Sequence, residues 1–341
     1  MKEVRSAIIG FGGIARAHAA GYRILARDGV PVRLVAVCDI DPQRLRGELK
    51  INVDTGKGEL PADCQIFTSV DEMLDGADFD MVDICLPTYL HKEYAIKMLK
   101  AGKHVLSEKP MALSYADCCE MIEAAKASDR RLMIGQCLRF NTNYLFIKEC
   151  VEDGRYGKLL HMEMERRSLL PDWGFENWFQ DAARSGGCAL DMHIHDVDMA
   201  RFLLGEPTAV SAIALEGTTP YQYVNTRLFY EGGPTVIIDG SWYESAGTPF
   251  RAACRARFET ATVVLENNAV TVYPDVKKAE PITIDHTMKH HMAEEIKFLV
   301  SSILDPTVEN KKNPPESAAK TVRVVEMIKK SADEGGITIT L

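Results

Sequence analysis

The stretch that most restricts the fold is AIIGFGGIARAH, residues 7–18. An apolar run leads into Gly10-x-Gly12-x-x-Ala15, and a helical pattern leads out of it. Gly10 permits a tight turn, Gly12 lets backbone approach a pyrophosphate, and Ala15 is small enough for close helix–strand packing. A helix that starts there offers unpaired N–H groups and a partial positive charge to phosphates. Gly10, Phe11, Gly12, Gly13 and Ile14 are therefore the candidate dinucleotide-binding turn. The next apolar run ends in VAVCDID, with Asp39 24 residues after Ala15. That is near the spacing of an acid that accepts hydrogen bonds from the adenosine ribose. A carboxylate there repels a 2′-phosphate and favours NAD, whereas nearby Arg44 weakens the preference and leaves NADP open. A second reading of Asp39 is that it only starts a turn with Asp41 and Pro42.

The motif sits in a matching context. Up to residue 137, short apolar runs such as RLVAVCDI, FDMVDICLP, KHVLSEKP and RLMIGQC alternate with helical patterns, including PQRLRGEL over 42–49. Continuous apolar strands between amphipathic helices predict a parallel sheet covered on both faces. Beyond about residue 156 the rhythm changes. LLHMEMERRS, TAVSAIALEG, VNTRLFYEG, PTVIIDGSWYE, FRAACRARFET, ATVVLEN and AVTVYP follow one another with short connections, which favours antiparallel pairing. Helical patterns return from residue 290. The expectation is an α/β chain: a doubly wound parallel sheet over residues 1–137, then an α+β domain over 138–341 with a large, open, mainly antiparallel sheet.

Bulk properties remove several classes of function. With 341 residues and 46% hydrophobic side chains, the chain can bury about two cores. A formal net charge of −9 with no basic run argues against nucleic-acid binding. No apolar stretch reaches membrane-spanning length, and MKEVRSAIIGFGG lacks the features of a signal peptide. The nine cysteines include no C-x-x-C pair. We expect reduced thiols in a cytoplasmic protein, with neither a disulfide framework nor a zinc ribbon.

Three more stretches join the fingerprint. DICLPTYLH places Pro87, Thr88 and His91 after the fourth predicted strand, VLSEKPMA places Glu108, Lys109 and Pro110 at the end of the fifth, and SGGCALDMHIHDVD sets a Gly-Gly pair before Asp191 and His195. The combination resembles the Gfo/Idh/MocA family of nicotinamide-dependent sugar and polyol oxidoreductases, of which inositol dehydrogenase is a well-known type. The resemblance spans nearly the whole chain. It implies a Rossmann domain, a second domain with an open sheet, catalytic Lys109, Asp191 and His195, and a homodimer or homotetramer joined through the sheet faces. Pro87, Thr88, His91, Glu108 and Lys109 then join the cofactor contacts. Two departures bear on the pocket floor: His193 and Cys188 stand where the family commonly has glycine.

DMHIHDVD, residues 191–198, carries five side chains able to bind a proton or a metal. On a continuous helix, Asp191, His195 and Asp198 share one face. A metal site needs three or four converging ligands, and HTMKHH (286–291) is the only other histidine-rich stretch, so no metal is expected. A histidine near its ordinary range can instead take a hydroxyl proton. Lys109, held by the restricted geometry around Pro110, can hydrogen-bond the same oxygen, and a cis bond to Pro110 would fix its direction. Asp191 can orient the substrate or share the proton relay, and Arg139 and Trp173 are candidate substrate contacts, with a structural salt bridge the other reading of Arg139. The leading expectation is an NAD(P)-dependent dehydrogenase acting on a secondary alcohol of a sugar, inositol or derivative. The alternatives are a glycosidase-like enzyme that retains NAD for transient oxidation and elimination, and a nonenzymatic dinucleotide-sensing regulator.

Overall fold

The computed structural model describes residues 3–45, 59–285 and 289–341, which form two compact units. The first unit begins with β1 (Val4–Ile9), α1 (Gly13–Arg27), β2 (Val32–Cys38) and β3 (Gln65–Phe67). It continues with α2 (Val70–Gly76), β4 (Met81–Ile84), α3 (Thr88–Lys100), β5 (His104–Glu108), α4 (Tyr115–Ser128) and β6 (Leu132–Gly135). The six strands pair in parallel in the order β3-β2-β1-β4-β5-β6. This is the doubly wound arrangement, and the order reverses between β1 and β4. β4 and β6 are buried at every residue, as continuous apolar runs between two helical layers require. The helix expected over 42–49 is a 3-10 turn over Pro42–Leu45, and residues 46–49 lie outside the described residues.

The second unit contains α5 (Thr142–Asp153), β7 (Leu159–Arg167), α6 (Ala182–Ser185), α7 (Gly187–Asp191) and α8 (Ile194–Leu204). Seven further strands follow: β8 (Ala209–Leu215), β9 (Tyr223–Phe229), β10 (Thr235–Ser241), β11 (Arg251–Phe258), β12 (Ala261–Glu266), β13 (Ala269–Pro274) and β14 (Ile282–Thr283). With β7 and a short C-terminal strand, β15 (Ile339–Thr340), they form one nine-stranded sheet. All neighbours run antiparallel except β7 and β10. Alternation along β7 buries Met162, Met164 and Arg166, whereas Glu163, Glu165 and Arg167 stand on the opposite, open face. α8 packs on β7 and β10 from the buried side.

One expectation needs correction. Residues 289–319, including α9 (His291–Leu304), belong to the first unit and not to a domain running over 138–341. α9 lies against α1, and its Ile296, Leu299 and Val300 join the core formed by Val4, Ile8, Ala15, Tyr22 and Leu25. Close approach depends on Gly21, where a Cβ would stand 3.2 Å from Ile296 Cδ1 and 3.3 Å from the Ala293 backbone. From residue 320 onward, α10 (Pro315–Asp333) belongs to the second unit, as does β15.

Candidate active site

In the first unit, the carboxyl ends of β1 and β4 flank the point where strand order reverses, where open α/β sheets bind ligands. Gly10 has φ +84°, and a side chain there would strike Cys85 O at 2.7 Å, so only glycine fits. A Cβ on Gly12 would meet nothing within 4 Å, so this side of the turn is open.

Helix capping distinguishes the two helices at this point from their neighbours. α2 is capped by Ser69 and α4 by Ser114, each side chain accepting from an N–H in the first turn. α1 starts at Gly12 and α3 at Pro87 with no side-chain cap, and neither has an acid in its first turn. Orphan N–H groups at an uncapped N-terminus need water or a ligand, and an anion suits them. Thr88, 2% exposed, opens α3 with its Oγ1 buried and without a hydrogen-bond partner. These features fit a dinucleotide.

Asp39 is buried and holds the turn: Phe11 N–H donates to its Oδ2 at 2.6 Å and Asp41 N–H to its Oδ1 at 2.8 Å. Arg44 stands 3.8 Å from Asp41, and its carbonyl accepts from buried Arg16 at 3.0 Å.

Lys109 is half-buried at the end of β5, and its bond to Pro110 is cis. Two buried histidines bracket it. His91 places Nδ1 2.7 Å from Pro110 O and Nε2 2.8 Å from Leu86 O, tying the segment after β5 to the loop after β4. His18, from α1, lies 2.8 Å from Glu108 Oε1 and 2.9 Å from Asp83 Oδ2, while Glu108 Oε2 accepts from Lys109 N–H at 3.1 Å. His91 and Glu108 were expected as cofactor contacts. His91 and Glu108 are almost fully buried, and their polar atoms engage protein groups that hold Lys109. His18 was not anticipated; the available signal is a histidine four residues before Tyr22 on a face of α1 that is otherwise apolar.

In the second unit, Gly186 and Gly187 turn the chain from α6 into α7 with φ of +77° and +72°. A Cβ on Gly186 would lie 2.5 Å from Leu190, and one on Gly187 2.7 Å from Pro220 O. The expected continuous helix over DMHIHDVD is broken after Asp191. The Cys188 carbonyl accepts from both Met192 N–H (3.0 Å) and His193 N–H (2.9 Å), a local widening before α8 begins at Ile194.

This break sorts the five polar side chains. Asp191 and His195 remain half-buried. His193 is fully buried and bonds Thr226 Oγ1 at 2.9 Å. Asp196 receives Arg166 at 3.0 and 3.1 Å. Asp198 receives Arg139 at 2.7 and 2.8 Å and the Thr321 hydroxyl at 2.7 Å. The break takes Asp191 off the helix that carries His195 and Asp198, and Arg139, 2% exposed, pairs with Asp198, which favours the structural salt bridge of its two readings. The two departures from glycine also point inward: Cys188 packs with Phe179, Met192 and Trp242, and burial lowers the His193 imidazole to about 4. Among the described residues no group of three or more His, Cys, Asp or Glu is arranged to hold a metal; of HTMKHH, His286, Thr287 and Met288 lie outside them.

The loop before α6 is an aromatic cluster. Phe179 stacks on Trp178 at 4.0 Å and meets Trp173 and Trp242 edge-on at 4.9 and 6.0 Å. Trp178 and Phe179 anchor the loop, whereas Trp173 keeps 38% of its surface exposed.

Residues 4–136 match the family described as "Oxidoreductase family, NAD-binding Rossmann fold", and residues 144–270 match the GFO/IDH/MocA C-terminal domain. Myo-inositol 2-dehydrogenase of Thermotoga maritima is 35% identical over 204 residues, 60% of this chain and 55% of that protein. Inositol 2-dehydrogenase of Rhizobium meliloti is 32% identical over 246 residues, 70% of this chain and 68% of that protein. The crystal structure of aldose-aldose oxidoreductase from Caulobacter crescentus in complex with glycerol superposes with a TM-score of 0.81 at 24% identity, covering 99% of this chain and 100% of that one. Both halves of the fold, with these relatives, place the chain in the Gfo/Idh/MocA family of NAD-binding oxidoreductases.

Proposed function

We propose that the chain is an NAD-dependent dehydrogenase that moves a hydride between nicotinamide and a secondary alcohol or ketone carbon of a sugar, inositol or related polyol. The observation that carries the cofactor reading is the pair of uncapped helix N-termini at the strand-order reversal, with the unpartnered Thr88 hydroxyl beside one of them. NAD, when bound, supplies the hydride acceptor. Asp39 disfavours a 2′-phosphate by charge, which supports NAD over NADP.

Lys109 is assigned the hydrogen bond to the reacting oxygen, where an ammonium stabilises developing negative charge. His195 is assigned removal of the hydroxyl proton and Asp191 orientation of the substrate. The accessibility of Asp191 and His195, against the burial of His193, Asp196 and Asp198, supports this choice among the five. Trp173 offers an aromatic face to a sugar ring. The relatives named for inositol support a polyol substrate.

We also assign the open face of the nine-stranded sheet to self-association as a homodimer or homotetramer. Its charged side chains, including Arg167 paired with Glu165 and Asp239, would suit a polar interface. None of the nine cysteines is in a disulfide, which supports a reducing compartment such as the cytoplasm. Among the described residues no helix is long and apolar enough to cross a membrane.

The test is absorbance at the NADH band with NAD or NADP and a panel of inositols, hexoses, sugar acids and amino sugars. A substrate-dependent rise with NAD supports the proposal. Substrate consumption without net NADH would move the assignment to retained-cofactor elimination, and no turnover despite measured NAD binding to a dinucleotide-sensing role.

A further inference from the structure

We propose that His18, held as an imidazolium between Asp83 and Glu108, is a positioning residue for Lys109. The inference deepens the dehydrogenase reading and rests on it only for what Lys109 does in turnover. The His18 side chain is 1% exposed, Asp83 0% and Glu108 7%. With both carboxyl groups ionised and therefore only accepting, the ring donates from both nitrogens, to Asp83 at 2.9 Å and Glu108 at 2.8 Å; burial raises the Asp83 carboxyl and the hydrogen bond from His18 opposes that, whereas Glu108, despite its burial, is held low by His18. Burial alone would lower this imidazole, but the hydrogen bonds to Asp83 and Glu108 outweigh that and raise it to about 10. The other titratable groups around the cluster include Tyr22 from α1, Cys85 after β4, His91 from α3, Lys109, and His290, His291 and Glu295 at α9.

The clamp acts on one peptide. Glu108 has His18 on Oε1 and the Lys109 N–H on Oε2, and it backs onto Gly135, where a Cβ would lie 3.2 Å from the carboxyl group. The carboxyl group takes up space that a side chain at position 135 would fill. Without the imidazolium, two buried carboxylates lose their shared cation, and one must take up a proton or move. Movement of Glu108 releases the hydrogen bond that fixes the backbone carrying Lys109. His91, on the Pro110 carbonyl, holds only the far side.

The experiment compares the full chain with His18→Gln and His18→Gln/Asp83→Asn, the second of which restores the charge balance. Two readouts are taken on each protein after its folded fraction is measured. One is kcat against KM for NAD. The other needs no turnover: the rate at which pyridoxal phosphate with borohydride labels Lys109, read by peptide mass spectrometry. His18→Gln is expected to lower kcat about tenfold with KM for NAD nearly unchanged, and to change the Lys109 labelling rate about threefold or more, with both returning toward the parent in the double variant. Labelling of Lys109 at the parental rate in folded His18→Gln overturns the proposal. If labelling responds but the parent turns over no polyol, the clamp stands and the dehydrogenase reading fails. Should His18→Gln not fold, Glu108→Gln, which keeps the shape and removes one charge, is read in the same way and must also shift Lys109 labelling.

Discussion

His193 occupies the space that a side chain at Gly240 would fill: a Cβ there would lie 2.7 Å from His193 Nδ1 and 2.9 Å from its Cβ. The family commonly has glycine at position 193; here the imidazole fits because β10 carries none of its own bulk opposite it. Gly240→Ala should therefore overpack this contact and destabilise the second unit by about 1–3 kcal/mol. Thermal melting of the variant checks this, and a melting temperature equal to the parent's would show that the imidazole can move aside at no cost.

The same histidine makes stability depend on pH. Burial lowers His193 to about 4, whereas an unfolded histidine titrates near ~6.5. The unfolded chain takes up this proton first. The contribution of neutral His193 is therefore fully present above about pH 6.5 and is lost as pH falls toward about 4. Urea melts of the parent and His193→Gln across that window should diverge by up to about tenfold in unfolding constant per pH unit. Parallel curves would refute the assignment.

Arg139→Met should act on stability and not on substrate affinity. It removes the two hydrogen bonds from the guanidinium to buried Asp198 and leaves the Thr321 hydroxyl and, at 4.0 Å, Arg201 beside it, a loss on the order of 3 kcal/mol. KM for the active polyol, measured on the folded fraction, should stay close to the parent value. A large rise in KM without loss of stability would return Arg139 to the substrate site.

Asp39→Ala should weaken NAD binding and reduce discrimination against NADP. Hydrogen bonds to a charged group contribute about 1.5–3 kcal/mol, or roughly tenfold to a hundredfold in affinity. Because Asp39 also holds Phe11 N–H and Asp41 N–H, both cofactors should lose some affinity, NAD more than NADP. Equal losses for the two, by fluorescence titration, would limit Asp39 to holding the turn.

Lys109→Ala and His195→Ala should each lower kcat by about 10²- to 10⁴-fold while NAD binding is retained. Steady-state kinetics with the active polyol, beside direct NAD titration, separates the two effects. Parental turnover in either variant removes that residue from the mechanism.

What was legible in the chain depended on range. The turn at Gly10, the strands up to residue 137 and the strand run from LLHMEMERRS to AVTVYP follow from local patterns. Within them, backbone geometry and the alternation of apolar side chains act over a few residues. Local reading failed where a contact reaches across the chain. His18 meets partners 65 and 90 residues away, and Arg139 meets one 59 residues away, so neither role has a periodic signature.

The DMHIHDVD stretch shows both limits. The sequence by itself determined that five proton- or metal-binding side chains stand together behind a Gly-Gly turn, in a chain with a dinucleotide fingerprint. Only the tertiary structure decided which of them face outward. Burial of a charge or an unpaired imidazole is costly unless a partner meets it, and Arg166, Arg139 and Thr226 meet Asp196, Asp198 and His193 from distant segments. Asp191 and His195, on either side of the helix break, are the two that stay accessible.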